Sequence, residues 1–238
     1  MKIYFILPVL AILGCNLPAP AQTADEFLRD GLAKYKAGQY AEAITCYNKA
    51  IRIHPDYTLV LYGRALAKMA VNDSTAEADL SKAIALDPAI PEYYFSRGKV
   101  YYRKDDYPRA LNDFNKAIEL RPNYAEAWCY RGETKEVQKN FQGAIPDAEK
   151  AISLKPDYAN AWYVKGLSEY ALLHYDSAIN TITKCLSLKD TIFLGGGHYF
   201  RGMAEFRTGQ KDAACRDFDE ALKAGYKDAE KAKTKYCN

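Results

Sequence analysis

After Thr23 the apolar and small residues do not form one continuous run; they return at a nearly constant interval. Ala43, Ala76, Ala110, Ala144, Ala178 and Ala214 are 33, 34, 34, 34 and 36 residues apart. Ala50, Ala83, Ala117, Ala151, Cys185 and Ala221 repeat those spacings, and Gly31, Ala65, Gly98, Gly132, Gly166 and Gly202 form a third series. Pro55, Pro88, Pro122 and Pro156 close four of the units. A period of this size marks a repeat architecture, in which each unit is one supersecondary element.

Within a unit the pattern is helical. Residues 125–138 have good helix propensity and carry Ala127 and Trp128. Phe141, Ala144, Ile145, Ala148, Ala151, Ile152 and Leu154 follow at helical spacing. Lys139 and Asn140 supply the turn, and Pro156 blocks further helix. Such a hairpin cannot bury its apolar face alone and must stack on its neighbours. Gly or Ala on the first helix, opposite two Ala positions on the second, lets the pair approach closely. Phe27, Leu61, Tyr94, Trp128 and Trp162 then fill the gaps from first helices, and Tyr47, Leu80, Phe114 and Ile182 from second helices. The expected fold is an all-α solenoid of about six hairpins, at residues 24–57, 58–90, 91–124, 125–158, 159–192 and 195–226. Residues 227–238, polar and rich in Lys, are expected to form a capping helix.

Three departures from the period stand out. The second unit lacks one residue between Ala65 and Ala76. Gly195, Gly196 and Gly197 push the sixth unit back and read as a flexible joint, since no strand precedes them and no Lys-Ser or Lys-Thr follows. Pro146 falls past the first turn of a helix and is expected to bend it.

Tyr94, Gly98, Tyr101, Ala110, Phe114, Ala117 and Pro122 resemble the aromatic, Gly, Tyr, Ala, Phe, Ala and Pro of the tetratricopeptide repeat. The resemblance runs from about Ala24 to Tyr226. It implies a superhelix that binds a peptide or protein in its concave groove, lined by one face of the first helices. Carried over position by position, that face offers Tyr62, Phe95, Lys99, Tyr102 and Arg103 in the second and third units. It continues with Cys129, Glu133 and Glu136, then Tyr163 and Tyr170, then Tyr199, Phe206 and Arg207. The same aromatics could instead pack on neighbouring repeats. Some family members clamp a C-terminal carboxylate; Leu28 and Leu32 stand at the positions that clamp needs here, which argues against it.

The N-terminus differs in kind. Met1 and Lys2 precede Ile3 to Leu13, all apolar and too short to span a bilayer, which takes about 20 residues. This reads as an export signal over residues 1–21. Two processing sites compete. Ala19-Pro20-Ala21 would release a chain starting at Gln22, whereas Ile12-Leu13-Gly14-Cys15 resembles a bacterial lipobox with Cys15 as the lipidated residue. The protein is therefore expected in the periplasm or cell envelope, or secreted, with a membrane link only through Cys15. In such an oxidising compartment disulfides persist. If the last hairpin helix and the cap fold back about Tyr226, Cys215 and Cys237 lie level, each 11 residues from the turn, and could bond; the alternative is two free thiols.

A net charge of +3 with no long run of one sign gives no reason to expect a nucleic-acid partner. The cysteines lack paired metal-site spacing. His54, His174 and His198 fall in distant repeats, so no metal site or cofactor is expected. Neither G-x-S-x-G nor H-E-x-x-H occurs, and Asp105-Asp106 lies in a turn, so no enzyme is expected. One charge pattern recurs. Arg64, Arg97, Arg131 and Arg201 share one first-helix position, and Asp79, Asp113, Asp147 and Asp217 one second-helix position; Lys165 and Thr181 replace both in the fifth unit. Either the pair sets hairpin register or the Arg row binds anions. The leading reading is an exported protein-binding scaffold. The alternative is a binder of a glycan or small molecule on stacked Tyr and Phe.

Overall fold

The computed structural model describes residues 22–237. The export signal assigned to residues 1–21, with its lipidation candidate Cys15, lies outside them. Thirteen helices and no strand occur among the described residues. In chain order they are α1 (Ala24–Lys36), α2 (Tyr40–Ile53), α3 (Thr58–Ala70), α4 (Ala76–Leu86), α5 (Pro91–Arg103), α6 (Tyr107–Leu120) and α7 (Ala125–Val137). They continue with α8 (Phe141–Leu154), α9 (Ala159–Ala171), α10 (Tyr175–Ser187), α11 (Thr191–Arg207), α12 (Lys211–Lys223) and α13 (Asp228–Tyr236). Odd-numbered helices up to α11 are the first helices of six hairpins, and α13 packs on the last.

Local chemistry sets the ends of these helices. Thr23 opens α1 with a capping box: its hydroxyl accepts from the Glu26 amide at 3.2 Å, and the Glu26 carboxylate accepts from the Thr23 amide at 2.9 Å. Asp106, Asn140 and Asp190 cap α6, α8 and α11 in the simpler way. Each hairpin turn needs one residue in the left-handed region. Gly38 and Gly209 fill it without strain in the outer repeats, while Asn72, Asp105, Lys139 and Leu173 fill it in the inner ones. Between hairpins the chain leaves α2, α4, α6 and α8 through a proline, but it leaves α10 through Lys189 at φ 55°.

The core is the small-residue seam. Ala43, Ala110, Ala144 and Ala178 are wholly buried, as are the plugs Tyr47, Leu80, Phe114 and Ile182. The glycines opposite them are there for space. A Cβ on Gly98 would lie 2.7 Å from Phe114 Cε1, and one on Gly166 2.5 Å from Ile182 Cγ1. Of the first-helix plugs, Trp128 and Trp162 stay half-buried, with their indole N–H groups donating to the carbonyls of Pro122 and Pro156 at 2.8 and 2.9 Å.

Two expectations are corrected. Gly195, Gly196 and Gly197 are not a joint: they lie inside α11, are buried, and bring that helix against Tyr226, Tyr163 and Leu186. Three glycines cost a helix about 1 kcal/mol each relative to Ala, but close packing requires their missing side chains here. As a result the sixth hairpin begins at Thr191 rather than 195, and its first helix has 17 residues where the others have 13. Pro146 lies inside α8, and Pro146 and Gln142 are exposed. The Gln142 carbonyl, four residues earlier, cannot accept a hydrogen bond from the proline nitrogen.

The recurrent charge pair is structural. Arg64, Arg97, Arg131 and Arg201 each grip the Asp of their own second helix with two nitrogens, at 2.5 to 2.8 Å. Their remaining Nη1 donates to the preceding second helix, at Asn48, Ser81, Asn115 and Thr183. With every fork engaged, the reading of an anion-binding row falls away. At the other end Cys215 and Cys237 are joined by a disulfide, their Cα atoms 5.7 Å apart, which ties α13 to α12.

Candidate binding groove

Every carried-over groove residue sits on a first helix, but the structure does not leave them all open. Cys129 is wholly buried, and burial, then Glu133, pushes its thiol pKa up, so it lines no groove. Tyr62 packs on Tyr93 at 5.0 Å and accepts a hydrogen bond from the Ser96 hydroxyl at 3.4 Å. Phe95 is enclosed by Tyr124 and Tyr130, at 4.9 and 5.4 Å between ring centroids. Tyr163 lies on Phe193 at 4.9 Å and against Gly196. Tyr170 meets Tyr175 and Phe200, Tyr199 meets Tyr226, and Phe206 stacks on Tyr236 of the cap at 4.2 Å. The expected aromatic track is thus divided into clusters that knit adjacent helices together. Each ring finds a partner on a neighbouring segment, at a position offset from its own in the repeat.

Polar groups mark out the centre of the groove. The Tyr102 hydroxyl on α5 donates to Glu133 Oε1 on α7 at 3.0 Å, and Asn160 Nδ2 on α9 donates to Glu133 Oε2 at 3.2 Å. One carboxylate therefore bridges three consecutive first helices. Burial, then the Glu133 charge, holds the Tyr102 hydroxyl well above the usual phenol range. Around this bridge stand three charges of the groove face. Lys99 lies over the Phe95 and Tyr130 rings, at 5.6 and 5.4 Å from their centroids, and burial, then Arg103, lowers its pKa. Arg103 is exposed and donates to the Met69 carbonyl at 3.0 Å. The Glu136 carboxyl is pushed up by burial and then by Glu133. Arg207 is exposed on the last turn of α11, apart from this centre.

Two contributors escaped the sequence reading: Asn160, and Tyr130, whose ring contacts Phe95, Tyr102 and Phe114. Asn160 could be found only by pairing the start of one first helix with the middle of the preceding one. His198 places Nδ1 2.9 Å from Asp217 Oδ1. Beside Arg103, Met69 and Val100 line a recess of about 200 Å³ between α3 and α5. That is below the roughly 300 Å³ at which small-molecule pockets begin. No group of three or more His, Cys, Asp or Glu among the described residues could hold a metal ion.

Comparison with known proteins agrees with this geometry. Residues 31–71 match the model of the TPR repeat, and residues 91–124 that of the tetratricopeptide repeat. The crystal structure of MamA protein is 25% identical, with a TM-score of 0.63 over 70% of this chain and 91% of that one. YrrB, described as a TPR protein with an unusual peptide-binding site, is 20% identical, with a TM-score of 0.65 over 79% of this chain and 97% of that one. The pilF protein of Pseudomonas aeruginosa is 17% identical, with a TM-score of 0.73 over 82% of this chain and 88% of that one. The registered small-residue seam, the six stacked hairpins and the two repeat matches together show an all-α solenoid of tetratricopeptide-type repeats.

Proposed function

We propose that this protein is an exported, non-catalytic scaffold that holds a segment of another protein in the groove across α5, α7 and α9. The observation that carries the reading is the Tyr102–Glu133–Asn160 bridge. It fixes three first helices in one register and leaves Lys99, Arg103 and Glu136 around it without a salt bridge among the described residues. A preorganised polar floor flanked by unspent charge suits a polypeptide ligand, which brings both backbone groups and side-chain charge. The likeness to YrrB supports the same reading. The glycan or small-molecule alternative loses its platform, because the rings meant for stacking already stack on one another.

Export rests on the apolar run from Ile3 to Leu13 and accords with the Cys215–Cys237 disulfide. If Cys15 carries lipid, Cys15→Ser moves the protein from the membrane to the soluble fraction; soluble wild-type protein starting at Gln22 decides for simple cleavage. The groove is tested by capture of partners from envelope extract with three forms of the protein. Tyr102→Ala should lose the captured partner with helix content intact, whereas Lys116→Ala on α6 should retain it. The opposite result would move binding to the second-helix side.

A further inference from the structure

Most partly buried charges of this molecule are neutralised by a neighbour. Asp79 takes Arg64 and Lys68, Asp147 takes Arg131 and Lys135, and Asp113 takes Arg97. Lys99 and Glu136 are exceptions. They lie on consecutive first helices, have opposite sign, and are both half-buried, yet neither makes an ion pair or a side-chain hydrogen bond among the described residues. They do not neutralise each other, since no oxygen of Glu136 comes within 4 Å of the Lys99 ammonium. The groups around them have other duties. Arg103 is exposed to solvent and donates one hydrogen bond to the Met69 carbonyl, and both oxygens of Glu133 are taken by Tyr102 and Asn160. Withdrawing a charge from water without a counter-charge is unfavourable, and a ligand that supplies the counter-charge recovers that cost. Burial moves Lys99 down and Glu136 up in pKa, the direction expected when each charge lacks a partner.

We infer that the groove recognises a zwitterionic stretch of polypeptide, with an acidic side chain on Lys99 and a basic side chain on Glu136, about three residues apart. This deepens the groove reading and rests on it. The spacing takes α5 and α7, which touch, at the general separation of helices in contact, about 8–10 Å. In an extended polyproline-II segment, residues i and i+3 face the same way about 9 Å apart. That conformation also leaves its backbone groups free to meet polar groups such as the Tyr102–Glu133–Asn160 bridge. A ligand with acidic groups alone would set one of them against Glu136, and one with basic groups alone would set one against Lys99 and Arg103. The groove thus selects against both kinds of uniformly charged segment.

The test is to pan a displayed library of random short peptides against the exported protein and its Glu136→Lys, Lys99→Glu and Tyr102→Ala variants, each checked for helix content. Wild-type protein should enrich an acidic and a basic residue three positions apart. Glu136→Lys should shift enrichment to paired acidic residues, and Lys99→Glu to paired basic ones. A synthetic peptide chosen on wild type should lose about tenfold in affinity for Glu136→Lys. It should regain that affinity when its basic residue becomes Glu. Peptides that need Tyr102 but carry no such pair, or carry the same pair against all the charge variants, would overturn this inference and leave the groove reading standing. Peptides indifferent to Tyr102→Ala, or no enrichment, would overturn both.

Discussion

In repeat 4 the guanidinium of Arg131 holds three helices at once: its own α7, Asp147 on α8 and Asn115 on the preceding α6. In repeat 5 the same position is Lys165, which reaches Glu149 on the preceding α8 at 2.8 Å and nothing on its own second helix, α10, where Thr181 replaces the Asp. The hairpin is tied instead by the Ser177 hydroxyl donating to Glu169 at 2.8 Å, which leaves the other Glu169 oxygen buried and unpartnered. The contrast is one of side-chain shape. Arginine presents donors in a rigid fork, so two can serve one carboxylate while a third serves another helix. The ammonium of lysine has its three donors on one atom and lacks the span of the fork. Repeat 6 varies the theme again. In repeats 2 and 4 a Lys one turn after the Arg gives the Asp a second cation; in repeat 6 that residue is Glu205, an acid, and His198 supplies the second contact to Asp217. Repeats 2, 3, 4 and 6 are thus held by forked ion pairs, and repeat 5 by a lysine contact to the preceding repeat and a hydroxyl.

The sharpest way to break this comparison is to remove one ionic partner from each of the two repeats. Asp147→Ala leaves Arg131 and Lys135 facing a buried gap and should cost about 3–5 kcal/mol in urea unfolding. Lys165→Ala, whose closer partner Glu149 is half-exposed and whose contact with buried Glu169 is longer, at 3.7 Å, should cost less than Asp147→Ala, about 1 kcal/mol. Equal losses would mean that the two repeats are held alike. Next in size is the disulfide. Cys237→Ser frees a loop closure worth about 3 kcal/mol, and α13 amides should then exchange much faster with solvent while those of α5 to α8 do not change. A smaller effect is expected inside α11. Gly196→Ala ought to gain about 1 kcal/mol of helix propensity. It should instead lose about 1–2 kcal/mol through overpacking against Tyr163, and Tyr163→Phe in the same chain should return part of the loss. A plain gain would place Gly196 in open space. The smallest effect concerns Glu205, whose carboxyl burial, then Asp217, pushes up to about 7 from 4.5. Between those values the folded chain binds more protons than the unfolded one, so this group's contribution to stability falls as pH rises through the window. Glu205→Gln should therefore match wild type near pH 5 and exceed it near pH 8. A difference that does not vary with pH would contradict the shift.

The repeat was legible because its seam depends on local volume: Ala144 and Ala178 are identical in role and in letter. The Arg–Asp pairs were legible for a related reason, since loss of the Arg at Lys165 coincides with loss of the Asp at Thr181. The Gly195–Gly197 helix was not, because propensity alone reads three glycines as a break, and the side chains that override it come from α9, α10 and the turn after α12. The groove was legible as a set of positions but not as an open surface. Whether Tyr163 or Phe206 faces solvent depends on how far each hairpin rotates on the last, and a sequence period contains no such angle. Tyr102 and Glu133 were named singly; their bond through to Asn160 is a property of that rotation.

The third bond of each Arg has a consequence for how such a chain can change in length. The acceptors it finds on the preceding hairpin, Asn48, Ser81, Asn115 and Thr183, are all short and neutral, and all occupy equivalent places. Excision of residues 91–124 would bring Arg131 up to Ser81 in place of Asn115, with the fork on Asp147 untouched. Duplication of the same stretch would present each copied Arg with an Asn115 or Ser81 of its own. The joints between units are therefore written in a common standard, so that insertion or loss of a whole unit disturbs hydrogen bonding at the splice far less than a shift of a single residue would. In this array, growth and shrinkage by recombination meet little structural resistance where the fork recurs and more at repeat 5, which lacks it, and at α13, which is held by a disulfide of its own.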